Sequence, residues 1–95
     1  MSDTPENYPE QQETLFEFPC EFSIKAMGKW EEDFLSLVES LVIPHLEGES
    51  LRTSQQASGK GNYVSVTVTF TAVSKQQLDN VYLSLTGHER LLYVL

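Results

Sequence analysis

This 95-residue chain has one cysteine, two histidines, and no lysine or arginine before Lys25. Each shortage excludes something. A lone cysteine cannot close an internal disulfide, which fits a reducing compartment. Cys20 also stands between Pro19 and Glu21, where nearby carboxylates disfavour a reactive thiolate. His45 and His88, with Cys20, give no metal-ligand spacing. The histidines give no activated nucleophile either: His45 follows a proline in a loop, and His88 follows a helix whose C-terminal dipole a cation would complement. No enzymatic activity, cofactor or metal is expected.

Long hydrophobic runs are missing as well. No stretch approaches the length of a membrane span, and the N-terminus has neither a basic region nor an apolar core of a secretion signal. A soluble, cytoplasmic protein is the expectation.

Positive charge is scarce, with six basic residues against 14 acidic ones and a net charge of −8. The acidity is uneven. Six acids fall within residues 1–21, where no base occurs, leaving eight acids against six bases beyond. Residues 1–14 are acidic, polar and proline-containing, with Tyr8 the only large apolar group. Such a segment buries too little to offset its ordering entropy and reads as a mobile, solvating tail. An acidic arm on a near-neutral body repels polyphosphate, so nucleic-acid and anionic-membrane partners are not expected.

What is present begins at Leu15. Phe16 and Phe18 alternate with charge before Pro19, which biases Phe18 to an extended conformation and clips the chain onto the body. From Phe22 to Gly28 the pattern has period two, with Phe22, Ile24 and Ala26 on one face; this is a half-buried strand ended by Gly28. From Trp30 the period changes. Trp30, Phe34, Leu37, Val38, Leu41 and Val42 recur three and four apart, as in an amphipathic helix. Glu31, Glu32 and Asp33 fill its first turn, and Pro44 stops it near Val42 or Ile43.

Leu51–Ala57 has little apolar content and reads as an edge strand. After a Gly59–Asn62 turn, Val64, Val66, Val68, Phe70 and Ala72 alternate with Tyr63, Ser65, Thr67, Thr69 and Thr71, which is the plainest strand in the chain. Ser74 then reads as an N-cap, with Gln77 completing a capping box. Leu78, Val81, Tyr82 and Leu85 make the stripe of a second helix, and Gly87 ends it. Leu91–Leu95 reads as a last strand, apolar on both faces.

The order is β-α-β-β-α-β, so the fold class is α+β. The expectation is a ferredoxin-like two-layer plait over residues 15–95, a four-stranded antiparallel sheet with both helices on one face. The first and third strands are then central. The other sheet face stays open and carries Lys25, Met27, Tyr63, Ser65, Thr67, Thr69 and Tyr93 as a candidate interaction face. Surplus apolar side chains in the last strand point to contact with another chain.

Leu15-Phe16-Glu17-Phe18-Pro19, the Lys25-Ala26-Met27-Gly28 strand end and Ser58-Gly59-Lys60-Gly61-Asn62-Tyr63 followed by Ser65-Val66 resemble the YbeD-like family of small bacterial proteins. The resemblance covers roughly residues 15–95. It implies a ferredoxin-like fold similar to ACT-type regulatory domains and a family of uncharacterised biochemical function. This chain departs from the pattern at Ser58-Gly59, where Ser-Ser is more typical, and at Pro44, which interrupts the first helix.

Two small-ligand sites come under consideration. Gly59, Lys60, Gly61 and Asn62 could expose amides and a cation to a phosphate or carboxylate. The competing reading is a hairpin turn that uses glycine for geometry. No Ser or Thr follows Lys60 and the loop joins two strands, so it is not a P-loop. Gly28, beside the start of the first helix, could offer amides to an anion or an amino acid. The resemblance to ACT-type domains implies a ligand near this turn, at an interface between copies. The competing reading is that the three acids there only complement the helix dipole. RNA binding on the open face is disfavoured, because threonines stand where stacking aromatics would be needed.

The sequence thus points to a non-catalytic regulatory or adaptor domain, binding a small anion or amino acid in an ACT-like manner. The alternative is an interaction module that docks a protein on the open face without a metabolite. The expected partners are a second copy of the chain, another protein, or a small-molecule effector.

Overall fold

The computed structural model describes residues 17–95. The acidic segment 1–14 and the Leu15–Phe16 start of the clip lie outside the described residues. The elements are β1 (Cys20–Lys29), α1 (Phe34–Val42), a short 3-10 turn (Ile43–His45), β2 (Leu51–Ser58), β3 (Tyr63–Ala72), α2 (Lys75–Thr86) and β4 (Tyr93–Val94). They form one antiparallel sheet in the order β2-β3-β1-β4. The first and third strands are central, and the α+β plait is the one the alternation implies.

Period-two burial explains the core. Ile24 and Ala26 of β1 and Val64, Val66, Val68, Phe70 and Ala72 of β3 are buried on one face. Phe34, Val38 and Val42 of α1 and Leu78, Val81 and Leu85 of α2 close over them. Phe22 meets Tyr82 of α2 edge-on, with ring centroids 6.5 Å apart.

Several boundaries differ from the sequence reading, each for a physical reason. The strand β1 starts at Cys20 and continues past Gly28 to Lys29, because its register with β3 runs unbroken to the Lys29–Tyr63 pair. The helix α1 begins at Phe34 and not at Trp30. The Trp30 amide instead donates to the Asn62 carbonyl (2.9 Å), holding this residue on the sheet side, and the indole is 43% exposed. Glu31, Glu32 and Asp33 therefore precede the helix and do not fill its first turn.

The helix stops at Val42 and gives way to the 3-10 turn with Pro44 inside it, as a residue without an amide hydrogen requires. At α2 the Ser74 hydroxyl accepts from the Gln77 amide (3.1 Å). The Gln77 carboxamide reaches one residue further back than a capping box would, accepting from the Val73 amide (2.8 Å). Its own amino group donates to the His45 carbonyl (3.0 Å) and to Glu49 (3.3 Å). This buried glutamine thus ties the turn after α1 to the start of α2. Finally, the regular part of β4 is only Tyr93–Val94, although backbone bonds from Leu92 to Met27 (2.8 Å) and between Leu95 and Lys25 (2.8 and 3.2 Å) lengthen the pairing.

Candidate functional site

Strand register decides which side chains share a surface, because directly paired residues point to the same side of a sheet. The pairs Met27–Ser65, Lys25–Thr67, Ser23–Thr69 and Lys29–Tyr63 join β1 to β3. Met27–Tyr93 joins β1 to β4. The structure therefore brings Lys25, Met27, Tyr63, Ser65, Thr67, Thr69 and Tyr93 together on one face, opposite the helices. Among the described residues, no element covers that face.

The face has internal structure. A lane of small hydroxyl side chains, Ser65, Thr67 and Thr69, runs down β3. Larger groups flank it: Tyr63 at the hairpin end, 41% exposed, and Tyr93 and Leu95 at the β4 edge, 56% and 57% exposed. Met27 lies between the lane and Tyr93. At the far end the Thr69 and Ser23 hydroxyls bond each other (2.8 Å), and Arg52 pairs with Glu21. Lys25 and Lys29 bring positive charge to the same side.

The two small-ligand candidates lie at the same end of the sheet. In the hairpin, Gly59, Lys60 and Gly61 adopt φ of 59°, 60° and 87° in succession. The Gly61 amide donates to the Ser58 carbonyl (3.0 Å) and the Asn62 amide to the Gly59 carbonyl (3.1 Å). Those two amides already have acceptors inside the turn. The Tyr63 ring lies against Gly59, where an added Cβ would come within 2.8 Å of it. Lys60 is exposed at the tip.

Gly28 is buried within β1. A Cβ there would stand 2.4 Å from the Phe34 ring and 2.7 Å from the Arg90 carbonyl, so the glycine permits α1 and the α2–β4 connection to approach the strand. The charges beside it are also engaged. The Arg90 guanidinium donates to both Asp33 carboxylate oxygens (2.7 and 3.2 Å) and pairs with Glu31. The Arg90 hydrogen bonds lower the Asp33 pKa below its ordinary 3.8. An open depression of about 220 Å³ beside this pair is lined by Lys29, Glu31, Glu89, Arg90 and Leu92.

Sequence reasoning missed Arg90 because 57 residues separate it from Asp33. It also missed the hydrogen bond between His45 Nε2 and the Ser84 hydroxyl (2.5 Å), which fastens the 3-10 turn to α2. A second depression, about 370 Å³, opens beside His45, Glu47, Gln76, Gln77 and Asn80, and Ser84 does not line it. Among the described residues, no three His, Cys, Asp or Glu side chains gather as a metal site. No helix of the described residues is long and apolar enough to cross a membrane.

A four-stranded antiparallel plait with both helices on one face defines the class: a ferredoxin-like α+β domain of ACT-like architecture. Two solved structures share it. The solution structure of protein HP0495 from H. pylori superposes with a TM-score of 0.71 at 10% identity, covering 84% of this chain and 85% of that one. The ACT domain from GTP pyrophosphokinase of Chlorobium tepidum gives 0.57 at 13% identity, over 79% and 84%.

The chain belongs to the family described as "Protein of unknown function (DUF493)", which matches residues 13–95. Bacterial relatives include a UPF0250 protein of Chromobacterium violaceum, 40% identical over 90% of this chain and 98% of that protein. A UPF0250 protein of Paraburkholderia phytofirmans is 43% identical over 87% and 94%. The family carries no catalytic assignment.

Proposed function

We propose that this protein is a non-catalytic adaptor or regulatory domain that docks a protein partner on its open sheet face. The observation that carries this reading is the shared register of Lys25, Met27, Tyr63, Ser65, Thr67, Thr69 and Tyr93. Aromatic residues and methionine are enriched at protein interfaces, and Tyr63, Tyr93 and Met27 share this face.

The small-ligand reading has weaker support. The Gly61 and Asn62 amides bond within their own turn, and Arg90 already bonds the acids beside Gly28. The likeness to an ACT domain concerns the fold.

The test is affinity capture from lysate with three forms of the chain: wild type, Thr67→Arg on the open face, and Gln76→Arg on the exposed side of α2. A protein retained by the first and third and lost from the second is the expected result. A retained set that Thr67→Arg leaves unchanged contradicts the reading. In parallel, amide NMR with amino acids and organic anions should show no shifts near Gly28 or Lys60; saturable shifts there would favour the small ligand.

A further inference from the structure

The two edges of the sheet are unequal. At one edge the regular strand β4 has two residues, and a short edge offers little to pair with. At the other lies β2, with eight residues in unbroken register against β3. It has no proline, no lysine and no bulge, so of the usual devices that discourage edge pairing only the single charge of Arg52 is in place.

The helix layer also stops short of it. Leu51, Thr53, Gln55 and Ala57 point to the helix side, being paired with Phe70, Val68, Val66 and Val64. Leu51 and Thr53 are half-buried there, whereas Gln55 and Ala57 are exposed. Among the described residues, the half of β2 nearest the hairpin is thus uncovered on both faces.

We propose that the β2 edge pairs with β2 of a second copy, antiparallel, about a two-fold axis through Ser54. An axis perpendicular to the sheet keeps helix-side residues opposite helix-side residues. It sets Leu51 against Ala57, Arg52 against Gln56, Thr53 against Gln55 and Ser54 against Ser54 of the second copy. The register is self-complementary. The one charge meets an amide and not its like, and the two apolar residues of the strand meet each other on the helix side. Moving the axis one residue to Gln55 would push Leu51 opposite Gly59, in the turn, and lose that pair.

The product is an eight-stranded sheet with all four helices on one side and the two open faces joined into one. Edge pairing buries less surface than a face-to-face interface, so the dimer is concentration-dependent. This inference stands apart from partner docking, since it concerns the edge and not the face.

The experiment is sedimentation equilibrium of the full chain up to millimolar concentration, with charge swaps at the axis. Ser54 is exposed, so neither swap should disturb folding. Ser54→Lys places two ammonium groups opposite each other, and Ser54→Glu two carboxylates; each alone should associate about fivefold more weakly than wild type. An equimolar mixture of the two should recover dimer. In a Cys20→Ser background, Ser54→Cys should oxidise readily to a linked dimer, because directly opposed residues lie within disulfide reach. Ser58→Cys, at the far end of the strand, should not. A strictly monomeric wild type, or swaps that leave association unchanged, would overturn the edge; linkage through Gln55→Cys in place of Ser54→Cys would overturn the register.

Discussion

Gly28 shows how one residue type can support opposite readings. Placed before a helix, a glycine looks like an opening for a ligand carboxylate. In the fold it is a buried strand position with the Phe34 ring on one side and the Arg90 carbonyl on the other. Nothing local distinguishes the two, since both neighbours come from later in the chain. Gly28→Ala must displace an aromatic ring and a backbone carbonyl, and overpacking of this kind costs about 1–3 kcal/mol. Chemical denaturation should show that loss in midpoint with the slope unchanged; an alanine variant as stable as wild type would mean the space is not filled. Gly59 was more legible, because three consecutive positive φ values at Gly59, Lys60 and Gly61 are what a glycine-flanked turn is suited to.

At the scale of elements, β3 was fully readable. Its five alternations set both its burial and its central place, since a strand with that many buried β-branched residues needs neighbours on both sides. The start of α1 was not. Apolar spacing from Trp30 onward satisfies a helical period, yet a hydrogen bond from Trp30 to Asn62 and the Arg90 contacts to Glu31 and Asp33 hold residues 30–33 out of the helix. Both partners lie beyond any local window.

The Arg90–Asp33 contact joins the entry to α1 to the α2–β4 connection, and it carries a pH signature. Hydrogen bonds from Arg90 depress the Asp33 pKa below 3.8 in the folded chain. A carboxyl that binds its proton less readily folded than unfolded contributes stability above the ordinary aspartate range. That contribution is lost as pH falls through the depressed value. Thermal midpoints should therefore fall more steeply below pH 4 for wild type than for Arg90→Gln. Glu49, lowered mainly by the Glu47 amide, shifts the same way and should act equally in both proteins. Parallel acid profiles would show that the pair adds nothing to stability.

For the whole molecule, the order of elements and the polar character of β2 were enough to place the helices on one side and leave the other uncovered among the described residues. The seven residues expected on the open face are on it, because strand register follows from alternation and turn geometry alone. The ligand candidates depended on which groups remained available, and beside Gly28 that is set by tertiary contacts such as the Trp30–Asn62 bond and the Arg90–Asp33 contact. Sequence pattern carries the first kind of information and not the second.

Protein partners are proposed to meet the open face of the sheet. A photo-reactive amino acid placed at Thr67, at Lys25, or at Gln76 on α2 tests it inside the cell. A discrete cross-linked protein is expected from Thr67 and Lys25 and none from Gln76. Cross-links from Gln76 with none from Thr67 or Lys25 would contradict it and move the interaction to the helix layer.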